Sequence, residues 1–408
     1  MNIKVLMFGW EFPPFNSGGL GVACEGLSRA LSDKHLSITF VLPRKMDIAS
    51  SHMRIIFADA FPYFRTIHID SLLSPYATST QYSRDISHMR TSRIYGKNLF
   101  DEVRRYAEEA RVIARREHFD LIHAHDWLSF GAGIEAKKAS GKPLVVHVHA
   151  TEFDRTGGSQ VNEEVYRIEK EGMETADAVI AVSNFTKNII IRHYGINPEK
   201  IVTVHNGINS EEYPYHQRNE APSFTRGGKR IVLFVGRITL QKGPDYFLKS
   251  AAKVIRYNPN VLFVIAGSGD MKEKIIEEAA RLGISDKVSF VGFLQKEELA
   301  RIYEAADLFV MPSVSEPFGI VPLESLMHGT PVLISKQSGV SEVLSHALKV
   351  DFWDTDEMTN KIVAVLDHPP LQRCLREYGR KEASEHTWKK AADKCIHVYK
   401  HVLGFLSA

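Results

Sequence analysis

The chain reads as an α/β protein made of two parallel-sheet domains, and three observations predict it. Short apolar runs rich in β-branched and aromatic residues, bounded by turn residues, recur along the chain and read as buried parallel strands. Between them lie helical stretches, which is the pattern of repeated strand–helix–strand units. At 408 residues two or three domains of ordinary size are expected. A polar stretch from Glu211 to Lys229, with Pro214, Pro222 and Gly227-Gly228, has the composition of an interdomain linker.

Bulk properties exclude several classes. A net charge of +2 gives no basic field on the scale nucleic acids require. No run approaches the ~20 apolar residues of a membrane span. The apolar N-terminal run stops before Glu11, so it reads as a first strand and not a signal peptide. Cys24, Cys374 and Cys395 lack metal-site spacing and suit a reducing, cytoplasmic setting.

The first half opens with a buried strand over Lys4–Trp10, a Pro-rich loop over Glu11–Ser17, and Gly18-Gly19-Leu20-Gly21 leading a helix to about Ser32. Glycines before a helix let backbone approach a phosphate closely. Ser37–Pro43 is a second strand, and 44–98 reads as a long irregular segment with aromatic residues, suited either to an acceptor cleft or to packing on itself. Leu99–Glu117 is a charged amphipathic helix. Two strands follow with histidines at period-two spacing, Leu121–Trp127 (His123, His125) and Leu144–Thr151 (His147, His149), so each pair shares one strand face. A metal site would need the imidazoles to converge. Burial with backbone partners is the expectation for His123 and His147, and a functional role for Asp126 and His149 at the strand ends. Thr151–Gln160 is a polar, Gly-containing loop. Helices near Asn162–Thr175 and Asn184–Gly195 alternate with strands Ala178–Ser183 and Ile201–Val204.

The second half begins with a strand over Arg230–Arg237. A corner, Gly236-Arg237 to Lys242-Gly243, then leads a helix from Pro244. Strands at Val261–Ala266 and Val288–Phe293 alternate with helices Met271–Leu282 and Lys296–Ala306. Gly267-Ser-Gly269 lacks the third glycine of a dinucleotide fingerprint. Between strands Asp307–Pro312 and Thr330–Ser335, a loop over Ser313–Gly319 turns into a short helix, Ile320–His328. Pro322 sits in its first turn and Gly329 at its end. This is a strand–loop–helix corner at the carboxyl end of a strand, where open sheets place ligands. Amides after Gly319 make an anion site, while Glu316 and Glu324 offer acceptors suited to vicinal diols. Phosphate amides between two diol-binding acids describe a sugar nucleotide. Lys336–Glu342 forms another turn into a helix, and from Asp354 the chain reads as helical.

Glu316-Pro-Phe-Gly-Ile-Val-Pro-Leu-Glu324 resembles the E-x7-E motif of retaining glycosyltransferases of the GT-B fold. This is the group 1 or GT4 family, which includes glycogen and sucrose-phosphate synthases. The segments GGLGVACEGLSRAL, HAHDW and GR-x4-KG extend the resemblance over nearly the whole chain. One departure is Asn16, where bacterial glycogen and starch synthases usually carry Lys.

The resemblance implies two Rossmann-like domains facing across a cleft, at 1–210 (acceptor side) and 211–388 (nucleotide-sugar side), with a helix over 389–408 crossing back onto the first. It implies donor-pyrophosphate contacts from the Gly18-Gly19 loop and from Phe318, Gly319, Ile320 and Val321. His149 would lie beside the sugar 6-hydroxyl, with Asp126 in the same cleft. Arg237 and Lys242 would meet the diphosphate, Glu316 the sugar and Glu324 the ribose, while backbone of Gly292, Phe293 and Leu294 would read the base.

The expected activity is retaining transfer of a hexosyl group from a UDP-, ADP- or GDP-linked sugar to a sugar or glycan, with an α-glucan among the candidates. A guanidinium fork and an ammonium stabilise a departing diphosphate, so no metal and no cofactor are required. Two rivals use the same donor site: a nucleotide-sugar epimerase or hydrolase, and a non-catalytic sensor. The motifs leave the base, the sugar, the acceptor and the oligomeric state open. They predict no nucleic-acid partner and no transmembrane segment, and leave peripheral membrane contact open.

Overall fold

A computed structural model describes residues 3–14, 19–48, 50–58, 99–158, 161–213 and 228–405. Gly18, Asn16, most of the 44–98 segment and the centre of the 211–229 linker lie outside the described residues. The chain forms two compact units. The first comprises Met1–Glu152, Val161–Gly207 and Trp388–Ala408; the second comprises Phe153–Gln160 and Ile208–Thr387.

The first unit holds strands β1 (Lys4–Phe8), β2 (Ser37–Leu42), β3 (Arg54–Phe57), β4 (Leu121–His125), β5 (Leu144–Val148), β6 (Ala178–Ala181) and β7 (Ile201–Thr203). They form one parallel sheet in the order β3-β2-β1-β4-β5-β6-β7. Every residue of β4 and β5 is buried, as a sheet covered on both faces requires. Its helices are α1 (Gly19–Asp33), α2 (Leu99–Arg116), α3 (Trp127–Ser140), α5 (Glu163–Thr175) and α6 (Asn184–Ile189), the last continuing as a π turn over Ile190–Tyr194; α4 (Glu152–Thr156) comes between α3 and α5 in the chain, and all of it after Glu152 groups with the second unit. Asn162 caps α5, its side chain accepting from Glu164 N–H and Val165 N–H.

The second unit holds β8 (Arg230–Val235), β9 (Val261–Ala266), β10 (Val288–Gly292), β11 (Leu308–Met311), β12 (Val332–Ser335) and β13 (Leu348–Val350), again all parallel, ordered β10-β9-β8-β11-β12-β13. Its helices are α7 (Pro244–Tyr257), α8 (Lys272–Arg281), α9 (Lys296–Ala305), α10 (Val321–Met327), α11 (Thr355–Asp367) and α12 (Pro369–Glu385). Phe234, Phe247 and Phe263 pack in its core with ring centroids 5.6 and 5.4 Å apart.

The final helix, α13 (Trp388–Val402), belongs to the first unit and packs on α1. A Cβ on Gly26 in α1 would come within 2.3 Å of the Trp388 ring, so the absent side chain is what admits the indole.

Three expectations need correction. β3 lies inside the stretch read as irregular, and β13 inside one left unassigned before the terminal helices. Both have only three or four residues, too few for a periodicity to show. The polar stretch after His149 is not all loop: Glu152–Thr156 is a turn and a half of helix.

Candidate active site

In each unit the strand order reverses once, between β1 and β4 and between β8 and β11. Chain leaving the carboxyl ends of two such strands diverges to opposite faces and leaves a crevice. The residues singled out from sequence fall largely on these four strand ends.

In the second unit, the chain leaving β8 passes Gly236 and Arg237, makes a tight turn over Leu240–Lys242 and enters α7. The chain leaving β11 passes Pro312–Ile320 into α10. The two corners touch backbone to backbone. Gly243 has φ 64°, and a Cβ there would lie 2.1 Å from the Pro312 carbonyl oxygen. Val314 N–H donates to the Gln241 carbonyl at 2.9 Å. The buried Gln241 amide oxygen in turn accepts from Arg237 Nη2 at 3.2 Å.

Across this junction Lys242 Nζ forms an ion pair with Glu316, whose Oε2 also accepts from Ser313 Oγ at 3.3 Å. The Lys242 and Glu316 side chains keep only 20% and 8% exposure. Glu316 is fixed through its backbone as well. Its N–H donates to Gln337 O and its carbonyl accepts from Gly339 N–H, each at 2.9 Å. Gly319, at φ 97°, runs close under the Glu316 side chain; a Cβ there would sit 3.2 Å from Glu316 Cγ. The amides of Gly319, Ile320 and Val321 donate to no protein acceptor among the described residues. Phe318 itself is buried, and its carbonyl accepts from Val340 N–H at 2.7 Å.

Glu324 lies one turn into α10. Tyr303 OH reaches its Oε2 at 3.5 Å. Burial pushes the Glu324 carboxyl up to about 7, against the smaller downward pull of that hydrogen bond. Tyr213 and Tyr303 flank it, and both phenols are raised by burial first and by the Glu324 charge second. His328 stacks on Tyr303, centroids 5.5 Å apart, and meets Tyr213 edge-on at 5.3 Å.

The segment 153–160 groups with this unit. Ser315 Oγ donates to Asp154 Oδ1 at 2.5 Å, tying that segment to the Glu316 loop. Gly292 ends the edge strand β10, two strands away from β8, and Phe293 and Leu294 follow it. The Gly292 carbonyl accepts from Gly267 N–H at 2.7 Å, and Phe293 is 69% exposed.

In the first unit Gly19 starts α1 and is exposed. Behind it, buried Glu11 accepts from Gly21 N–H at 3.0 Å. Asp126 follows β4 with φ 58° and ψ 170°, a backbone region almost reserved for glycine. Its Oδ1 accepts from His149 N–H at 2.6 Å and Ala150 N–H at 3.2 Å. Asp126 therefore positions the chain that carries His149.

The four histidines are all buried. His125 Nδ1 and His149 Nε2 are hydrogen-bonded at 2.9 Å, and His123 Nδ1 and Tyr399 OH at 2.6 Å. Burial holds the imidazoles neutral, with His123 and His149 lowered to about 3. The expectation that backbone satisfies His123 and His147 fails. His123 pairs with a tyrosine of α13, and neither ring nitrogen of His147 has a partner among the described residues.

Arg237, Lys242, Glu316, Gly319 and Glu324 thus fall on or beside one corner, and His149 and Asp126 on another. Sequence reasoning missed Gln241, Ser313, Tyr213 and Tyr303. Tyr303 sits at helical spacing and reads as core, while Gln241 carries no motif.

The Glycosyltransferase Family 4 model matches residues 17–212 and the Glycosyl transferases group 1 model residues 216–382. The chain is 29% identical to an uncharacterised glycosyltransferase of Methanocaldococcus jannaschii, over 98% of each. It is 27% identical to glycogen synthase of Mycobacterium tuberculosis, over 97% of this chain and 94% of the relative. It is 30% identical to D-inositol 3-phosphate glycosyltransferase of Corynebacterium diphtheriae, over 69% and 70% respectively.

In fold it is similar to sucrose-phosphate synthase of Thermosynechococcus elongatus, with TM-score 0.80, 22% identity and 99% and 100% coverage. It is also similar to Anabaena HepE in complex with UDP and glucose, with TM-score 0.71, 16% identity and 98% and 100% coverage. The chain belongs to the group 1 (family 4) glycosyltransferases and has their GT-B fold.

Proposed function

We propose that this glycosyltransferase transfers a hexosyl group, with retention of anomeric configuration, from a nucleoside-diphosphate sugar to a sugar or glycan acceptor. The observation that carries the reading is the partly buried Lys242–Glu316 ion pair beside Arg237 at the switch point of the second unit. Without ligand each charge satisfies the other. A sugar nucleotide supplies a better partner for both, with phosphate oxygens for the ammonium and sugar hydroxyls for the carboxylate.

Arg237 and Lys242 then meet the charge that grows on the leaving diphosphate, joined by the Gly319, Ile320 and Val321 amides. Such preorganised stabilisation is ordinarily the largest catalytic contribution. Two fixed cations do the work a divalent ion would do there, so the reaction at the diphosphate needs no metal. Glu324 accepts from the ribose hydroxyls, and His149 contacts the sugar near the reacting carbon. No side chain is assigned as nucleophile; the leaving phosphate oxygen takes the acceptor proton on the same face.

UDP-, ADP- and GDP-glucose are the first donors to screen, with α-glucan, small sugars and sugar phosphates as acceptors. The name of the glycogen synthase relative supports a glucan acceptor, and that of the inositol-phosphate relative supports a small phosphorylated one. The chain has no helix among its described residues long and apolar enough to cross a membrane, and we place the enzyme in the cytoplasm.

Nucleotide release that depends on acceptor, and that drops about 10²–10³-fold in Lys242→Ala and in Glu316→Ala, is the expected result. Wild-type rates in both variants would sink these roles. Complete conversion of donor alone to a new sugar would identify an epimerase or hydrolase instead. Tight donor binding with no turnover across the panel would identify a sensor.

A further inference from the structure

We infer that His123, His125 and His147 form a binding site for one divalent transition-metal ion of the zinc class in the core of the first unit. Their ligand nitrogens all lie within 4.8 Å of one another, and all three residues are buried. β4 supplies the first two from one strand face and β5 supplies the third, with His125 opposite His147 in the ladder. The rings gather closely, with centroids 4.2 Å apart for His123 and His125, 5.3 Å for His125 and His147 and 5.4 Å for His123 and His147.

The distribution of partners is what points to a ligand. His123 Nε2, His125 Nε2 and both ring nitrogens of His147 are buried with no hydrogen-bond partner among the described residues. A neutral imidazole carries one donor and one acceptor, so each orphaned nitrogen costs about 1–3 kcal/mol. The opposite nitrogens of the first two rings are occupied, His123 Nδ1 by Tyr399 OH and His125 Nδ1 by His149 Nε2. Metal-binding histidines show this arrangement: one nitrogen is held by a hydrogen bond that fixes tautomer and ring orientation, and the other carries its lone pair to the ion. Imidazole ligands suit zinc, copper, nickel and iron.

A second triad in the same unit, Cys24, His125 and His149, also brings its ligand atoms within 4.8 Å. It is the poorer candidate, because His149 Nε2 and His125 Nδ1 are already spent on each other. The first triad touches the residues of the reaction proposed above through the His125–His149 hydrogen bond, so its test reads metal content and not turnover.

The test uses the full-length protein, purified without a metal-charged resin after growth in zinc-supplemented medium. Metal content is measured by plasma mass spectrometry. A stripped sample is titrated with cobalt(II) while the visible d–d absorption is followed. The expected result is about one equivalent of metal per chain and a saturable cobalt spectrum. Both should fall at least tenfold in His147→Gln and in His123→Gln, and stay unchanged in Cys24→Ser. Wild-type protein that carries no metal and gives no cobalt spectrum overturns the site whatever the variants do. Metal kept by a folded His147→Gln protein, or lost in Cys24→Ser, overturns this choice of ligands.

Discussion

Lys242 and Glu316 form a partly buried ion pair. Removing one strands the other, and breaking a buried pair costs about 3–5 kcal/mol when solvent is fully excluded. Lys242 keeps some access to water, so a smaller loss is expected. Lys242→Ala should lower Tm clearly, and the double variant Lys242→Ala/Glu316→Ala should recover most of it while remaining inactive. Thermal melts beside turnover assays separate the two effects. If the double variant melts lower than either single one, the pair is not what stabilises this corner.

Glu324 gives a pH prediction whose sign is fixed by the direction of its shift. Its pKa rises from 4.5 to about 7 on folding. Between those values the folded state binds the extra proton, so this group's contribution to stability falls as pH rises through the window. Donor binding moves the opposite way, because only the carboxylate accepts from two hydroxyls. The donor KM should improve as pH climbs through about 7, and Glu324→Gln should flatten that limb. A KM profile that is identical in the variant would remove Glu324 from the ribose site.

At this scale the sequence was partly legible. Arg237, Lys242, Glu316 and Glu324 could be singled out as candidates because ionic side chains stand in strand–loop–helix corners, where apolar packing does not explain them. The partner of His123 could not, since Tyr399 lies 276 positions away and only folding brings it near.

Among the elements, the corners depend on what glycine leaves out. Gly243→Ala would place a methyl against the Pro312 carbonyl, in a backbone conformation alanine disfavours. The β8 and β11 corners would have to part, and Arg237, Lys242 and Glu316 would lose register. A stability loss of at least about 2 kcal/mol is expected, together with a lower kcat. Gly26→Ala in α1 works on packing alone. Its methyl meets the Trp388 ring and should cost about 1–3 kcal/mol, with little change in donor KM. Denaturant midpoints and steady-state kinetics check both variants.

Helix and strand positions were mostly readable from periodicity and from punctuation by Gly and Pro. Asp126 was not readable as a positioning residue. Its strained φ and its grip on the His149 and Ala150 amides arise from where β5 ends, and no local pattern encodes that. Asp126→Ala should keep the strain of about 1–3 kcal/mol, lose both hydrogen bonds and displace His149, lowering kcat more than donor affinity.

Over the whole molecule, composition and the Glu211–Lys229 stretch already suggested two α/β units, and the structure resolves two parallel sheets with the same kind of strand order. The assignment of Phe153–Gln160 to the second unit was not readable, since it depends on packing and not on local pattern.

α13 sets the order in which the parts can mature. The first unit contains residues 388–408, and Trp388 and Tyr399 fill places that α1 and the histidine strands leave for them. A ribosome that has finished the seven strands of that sheet has therefore not yet made its last covering piece. The nascent half keeps the α13-facing side of α1 uncovered until residues 388–402 have been made.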